Sequence, residues 1–145
     1  METNKLTMPR AARPFDVLIA EDNPVNQFLL IHMLKRLGLS YRIANNGAEA
    51  IEAYRSATPD LILMDVQMPV MDGLNATREV RKLEEKGGFR VPIIAVTANA
   101  FDSDVIECVN SGMDDYMSKP VRADLLRSKL TEWIGRNHPD YDLQP

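Results

Sequence analysis

The chain has 145 residues, 45% of them hydrophobic and 26% charged, the proportions of one ordinary globular domain with a single substantial core. Its net charge of −4 offers no electrostatic footprint for sequence-independent nucleic-acid binding, and no apolar run is long enough to span a bilayer. The one cysteine, Cys108, cannot form an internal disulfide and the first residues, METNKLTMPRAARP, lack the apolar stretch of a signal peptide, so the expected setting is cytoplasmic, without membrane contact.

In chain order, residues 1–14 are polar, without period, and read as a disordered leader. A domain is expected over residues 15–136. Its first apolar run, Phe15–Ala20, is followed by a helix pattern with Asn23 as N-cap, Pro24 at the first helical position and Gly38 at the end. Tyr41–Ala44 is the second run, and Asn46 then opens GAEAIEAYRSA, which stops before Thr58-Pro59. The third run, Asp60–Met64, precedes a helix from Gly73 to Lys86 with Leu74, Thr77, Val80 and Leu83 on one face. Val91–Val96 leads to a helix from Ala100 to Ser111, closed by Gly112. Asp115–Ser118 leads to a last helix from Val121 to Gly135, whose stripe of Leu125, Leu126, Leu130, Trp133 and Ile134 is expected to pack on the sheet, or alternatively to form a dimer or partner face. Residues 137–145 read as a flexible tail. FDVLIA, DLILM and VPIIAV are almost continuously apolar, as strands buried on both faces are. Strand and helix thus alternate five times, which predicts an α/β fold with a doubly wound parallel sheet.

In such a sheet ligands bind beyond the carboxyl ends of the strands. The first strand ends in Glu21-Asp22, the third in Asp65, the fourth in Thr97 and the fifth in Lys119-Pro120. Each residue alone has an ordinary use. Asp65 could be a strand-end cap, Glu21-Asp22 a solvated turn before a helix, Thr97 and Asn99 helix caps, and Lys119 a surface charge. Together they place three carboxylates, a hydroxyl and an amine at one edge. Crowded carboxylates repel unless a cation intervenes, and Mg²⁺ takes one or two carboxylates while keeping substrate oxygens. A carboxylate beside it can attack phosphorus. The three equatorial phosphoryl oxygens then call for positive or donating partners, for which Mg²⁺, Lys119 and Thr97 suffice. Ala98 is small enough to leave the group accessible.

The acidic pair Glu21-Asp22, DVQMPVMDG around Asp65, VTANA around Thr97, and DDYMSKP ending at Lys119-Pro120 resemble, in order and spacing, the receiver domains of two-component and phosphorelay signalling. The likeness covers about Phe15 to Arg136. Glu-Asp-Asn, NPVNQ and GMDDYMSKP are most like receivers of hybrid histidine kinases. The resemblance implies a flavodoxin-like sheet of order 2-1-3-4-5, with Asp65 as phosphoacceptor. It implies Mg²⁺ held by Asp22, Asp65, the Gln67 backbone carbonyl and, through a water, Glu21. Thr97 and Lys119 would contact the phosphoryl oxygens, Tyr116 would change rotamer with Thr97, and the Lys119-Pro120 bond would be cis. Gln67, Ala98, Asn99 and Pro120 would flank the site. The phosphodonor would be a histidine kinase or histidine phosphotransfer protein, with a downstream partner on the face of the fourth helix, fifth strand and fifth helix. Such a domain is not a conventional enzyme, although it catalyses its own phosphorylation and dephosphorylation. It would be a monomer or a phosphorylation-dependent dimer. One mild departure is Glu21, where many receivers have Asp.

Other readings fit less well. A nucleotide- or flavin-binding module needs a glycine-rich turn after the first strand, and EDNPVNQ has none. Phosphatases of the haloacid dehalogenase group carry a D-x-D pair after that strand, whereas the nucleophile candidate here follows the third. The remaining alternative is a pseudo-receiver that acts only through protein contacts. His32 reads as a packing residue, His138 as part of the tail, and Cys108 as a small core or surface residue.

Overall fold

The computed structural model describes residues 15–98, 101–139, 141 and 143; the expected leader (1–14) and Asn99 lie outside the described residues. The elements are β1 (Asp16–Ala20), α1 (Pro24–Arg36), β2 (Ser40–Ala44), α2 (Gly47–Ser56), β3 (Leu61–Asp65), α3 (Gly73–Glu84), β4 (Ile93–Thr97), α4 (Asp102–Ser111), β5 (Asp115–Ser118) and α5 (Ala123–Asn137). All strand pairs are parallel, in the order β2-β1-β3-β4-β5.

The apolar strands follow from this order. β1, β3 and β4 are central and their side chains alternate between two cores. Val17, Ile19, Leu61, Leu63, Ile94 and Val96 face one core together with Leu30, Leu34, Leu126, Leu130 and Ile134 of α1 and α5. Leu18, Ala20, Ile62, Met64, Ile93 and Ala95 face the other, with Ala50, Ile51, Ala76, Val80 and Cys108 of α2, α3 and α4. Both faces need apolar residues, so the alternation of a one-sided sheet is absent.

Strands β3 and β4 begin and end later than the expected runs. Asp60 lies just before β3, where its Oδ2 accepts the Asp16 N–H at 2.8 Å. Pro92 has no N–H for a ladder, and it contributes only its carbonyl, to the Ile62 N–H. Asp65 and Thr97 are therefore the last strand residues, fixed by pairing rather than by a loop.

On α5 the buried stripe is Leu126, Leu130 and Ile134, at a spacing of four. Leu125, one residue and 100° away, is 38% exposed and does not join it. His32 also differs from the expected packing role, lying exposed on α1 with its ring stacked on Phe28. α1 starts as the sequence indicates, with Asn23 Oδ1 accepting the Val25 and Asn26 N–H groups. The N-cap of α4 is Phe101, so Thr97 does not cap it.

After α5 the chain passes over the amino-terminal edge of the sheet. His138 meets Phe15 edge-on at 5.4 Å, its Nε2 lies 3.7 Å from Asp60, and Tyr141 lies 5.3 Å from Phe15. Tyr141 and Leu143, in the expected flexible tail, pack against the α1/α5 core.

The turn out of β3 is close-fitted. The Gly73 N–H donates to the Val66 carbonyl at 2.9 Å, and a Cβ at residue 73 would come within 2.1 Å of the Asp65 carbonyl oxygen. Backbone there cannot yield cheaply. Gly73→Ala should cost about 1–3 kcal/mol of stability as an overpacking change. Thermal melts would check this, and an unchanged melt would show that the turn yields freely.

Candidate functional site

Beyond the carboxyl edge of the sheet lies a cavity of about 180 Å³ lined by Glu21, Asp22, Asn23, Asn26, Asp65, Gln67, Thr97, Ala98 and Lys119. Parallel pairing aligns the ends of β1, β3, β4 and β5, so residues far apart in sequence meet there. Asp65 sits at the floor, 4% exposed, and Glu21 beside it is 1% exposed. Asp22 faces solvent. One carboxylate oxygen from each of the three lies within 4.8 Å of the others. The Lys119 ammonium stands 2.8 Å from Glu21 Oε1 and 3.1 Å from Asp65 Oδ2. The Gln67 N–H donates to Asp65 Oδ1 at 3.2 Å, and the Asn23 N–H donates to Glu21 Oε2 at 3.0 Å.

Three carboxylates and one ammonium leave the pocket short of positive charge. Burial, and then the Glu21 charge, push the Asp65 carboxyl up to about 6, against the pull of Lys119. Burial also works to raise Glu21, but the Lys119 ammonium and the Asn23 N–H outweigh it and hold Glu21 below the usual carboxylate range. Burial would lower Lys119, yet its two carboxylate partners carry it above the ordinary lysine value. A small divalent cation among these oxygens would relieve the repulsion that Lys119 leaves uncompensated. The donor set, all oxygen with one solvent-facing carboxylate, fits Mg²⁺.

Of the expected site residues, Glu21, Asp22, Asp65, Gln67, Thr97, Ala98 and Lys119 share this cavity. Pro120 follows a cis peptide bond and lines an adjoining recess with Leu29, Leu30 and Val121. Thr97 also lines a second hollow, under α4, with Val66, Gln67, Asp72, Leu74, Asp104, Glu107 and Cys108. Thr97 thus borders both the acidic pocket and the hollow under α4. Tyr116 is outside the cavity, 41% exposed, with its ring 5.9 Å from the Lys129 ammonium. The two acids that open DDYMSKP take no part in the pocket. Asp114 pairs with Arg81 and Arg90, and Asp115 takes Lys129 and the Trp133 indole N–H. Asn26, on the wall, is a lining residue the sequence did not single out. Polar residues in a first helical turn look like caps, so nothing marked it.

The chain is a doubly wound α/β domain with an acidic pocket, faced by one lysine, at the carboxyl edge of its sheet, where ligands bind in this class of fold. The chain belongs to the response regulator receiver domain family, whose model matches residues 17–131. It is 41% identical over 142 residues to Histidine kinase 5 of Arabidopsis thaliana, covering 81% of this chain and 15% of that protein. It is 43% identical over 133 residues to Hybrid signal transduction histidine kinase I of Dictyostelium discoideum, covering 86% and 8%. The chain therefore spans a small part of the curated relatives it matches. Among solved structures, the receiver domain of Ssk1 from Saccharomyces cerevisiae, in complex with the histidine phosphotransfer protein Ypd1, superposes with a TM-score of 0.82 at 36% identity, covering 89% of this chain and 95% of that one. The receiver domain of sensor histidine kinase PA1611 from Pseudomonas aeruginosa, with magnesium coordinated in its active-site cleft, gives 0.77 at 42% identity, covering 85% and 99%. Among the described residues, no helix is long and apolar enough to cross a membrane.

Proposed function

We propose that this receiver domain accepts a phosphoryl group on Asp65 from a phosphohistidine donor and uses it as a switch. The observation that carries the reading is the buried Asp65 carboxylate at the floor of the cavity, with Lys119 Nζ 3.1 Å away and Thr97 on the wall. An oxygen of Asp65 attacks phosphorus in line, the bond from phosphorus to the donor imidazole nitrogen breaks, and that nitrogen leaves with the electron pair. Lys119 swings its ammonium onto one phosphoryl oxygen, and the Thr97 hydroxyl donates to another. Ala98 leaves room for the third. Asp22, Asp65 and the Gln67 carbonyl would hold Mg²⁺, with Glu21 reaching it through a water. When bound, Mg²⁺ supplies charge neutralisation for the attacking and transferred oxygens.

Two surfaces support partner readings. Leu29 borders the recess beside Lys119 and Pro120, and with Val25 and Phe28 it leaves apolar surface exposed on α1, suited to a protein donor such as a histidine kinase or phosphotransfer protein. Phe101, Ile106, Val109 and Tyr116 are exposed on the α4-β5-α5 side, suited to a downstream partner that reads Thr97 and Tyr116. The phosphoryl group biases an existing equilibrium through its different contacts in the two states.

Incubation with Mg²⁺ and acetyl phosphate, followed by intact mass, tests this. Wild type should gain one phosphoryl group and Asp65→Asn none. An equal gain by the variant would remove Asp65 from the role, and no gain by wild type would favour a pseudo-receiver.

A further inference from the structure

The β1–α1 loop that carries Glu21 and Asp22 and the β3–α3 loop that carries Gln67 are both fastened to one element that lines none of the pocket, the amino terminus of α2. On one side, Gln27 Nε2 donates to the Glu21 carbonyl at 2.5 Å and to Asn45 Oδ1 at 2.8 Å. Asn45 in turn donates through its backbone N–H and its Nδ2, each at 3.1 Å, to Glu49 Oε1. Glu49 closes the helix start by donating its own N–H to Asn46 Oδ1 at 2.8 Å, an N-cap bond, while its carboxylate serves the residue before the cap. A hydrogen-bonded chain thus runs from the α2 cap to the backbone of the acidic pair.

On the other side, the Gly47 N–H, in the first helical turn, has no partner within its helix, and it donates to the Met71 carbonyl at 2.9 Å. A Cβ at residue 47 would lie 2.4 Å from that oxygen and 3.0 Å from the Asp72 oxygen. Only glycine permits the approach. The β3–α3 loop is therefore pinned at Met71 by Gly47 and at Val66 by Gly73. Between the pins Val70 has φ 70° and is 84% exposed. A β-branched residue holds that left-handed conformation only where its surroundings over-determine it, and here the two pins do so. Gln67 lies on this held segment, and Asp65 directly precedes it at the end of β3.

We propose that the amino terminus of α2 is the positioning element of the divalent-cation site. Glu49 and Asn45, acting through Gln27, fix the height of Glu21-Asp22. Gly47, acting through Met71, fixes the loop that carries the Gln67 carbonyl. Cation ligands must be held within a few tenths of an ångström. Sheet hydrogen bonds reach only as far as the Glu21 and Val66 N–H groups, which donate to the Ala44 and Val96 carbonyls, and leave Asp22 and Gln67 beyond them. A common anchor outside both loops supplies registration past that point. The inference rests on the Mg²⁺ reading of the pocket.

Mg²⁺ titration of the full chain, followed at the Glu21, Asp22 and Gln67 amides by NMR, tests it alongside thermal melts in chelator. Gln27→Leu, Glu49→Ala and Gly47→Ala should each raise the Mg²⁺ Kd on the order of tenfold, as removal of outer partners of metal ligands does. Glu49→Gln keeps an acceptor oxygen for Asn45 and should bind within about twofold of wild type. Ile51→Val, in the buried face of the same helix, should lower the melting temperature and leave the Kd unchanged, which separates positioning from general stability. Wild-type affinity in Gln27→Leu and Glu49→Ala, or an equal loss in Ile51→Val, would overturn the inference alone. A wild type that does not titrate with Mg²⁺ would overturn the reading of the pocket, and this inference with it.

Discussion

Lys119→Met is expected to lower the unfolding free energy of the metal-free domain by about 2–4 kcal/mol at pH 8 and by far less at pH 4. The lysine is the cation that faces both Glu21 and Asp65, and both carboxylates are almost wholly buried. Removing one partner of a buried ion pair leaves an uncompensated charge, at about 3–5 kcal/mol. Protonation of the stranded carboxyls trims that figure. The sign follows from the titrations. Glu21 lies below its usual range because of Lys119 and the Asn23 N–H, so its favourable contribution is present above its unfolded pKa and is lost as pH falls through the folded one. Without Lys119, burial and mutual repulsion raise both carboxyls, and the domain loses stability as pH climbs from about 4 to 7. Urea melts at several pH values in chelator would show it, and a loss independent of pH would mean that the lysine acts by packing. Added Mg²⁺ should recover part of the loss at pH 8.

Asp65→Asn should do the opposite in the same metal-free buffer, raising stability at pH 7 by about 1–3 kcal/mol. Asp65 has its folded pKa lifted to about 6 by burial and by Glu21, above an unfolded value of about 3.9. A raised carboxyl favours the folded state only while protonated, so wild type gives up stability between about pH 4 and 6 and carries the full cost above that window. Asparagine carries no such cost, and the gain should vanish below about pH 4. One contact difference reduces the gain. Asp65 accepts the Gln67 N–H on Oδ1 and faces Lys119 with Oδ2, whereas asparagine has one acceptor oxygen. Saturating Mg²⁺ should shrink or invert the ranking, because wild type gains a charged ligand that the variant lacks. Equal stability of the two proteins at pH 7 in chelator would show that solvent screens the pocket more than its burial implies.

Much of this was legible in the chain before its structure. The continuous apolar runs of β1, β3 and β4 are required of strands with a core on each face, and the topology then sends Glu21, Asp22, Asp65, Thr97 and Lys119 to one edge. Less visible was what holds the edge together. Gln27, Asn45 and Glu49 lie at helix starts, where polar residues are ordinary, and their role depends on a chain of hydrogen bonds across two loops. Leu125 looked like part of an apolar stripe because a one-residue offset is hard to judge within a leucine pair. His32 looked like a packing residue because α1 is apolar on both faces, with Leu30 and Leu34 inside and Val25, Phe28 and Leu29 outside. Periodicity cannot choose between two such faces.

Phe15 and His138 have a further consequence. The residue that leads into β1 and the residue that caps α5 touch, with ring centroids 5.4 Å apart, at the edge opposite the acidic pocket. A unit whose two ends adjoin can be spliced into a surface loop of a host chain with little added loop-closure entropy. The host's own fold is then interrupted by a gap no wider than a turn. Matched segments that fill only 8% and 15% of long relatives are compatible with such modular grafting.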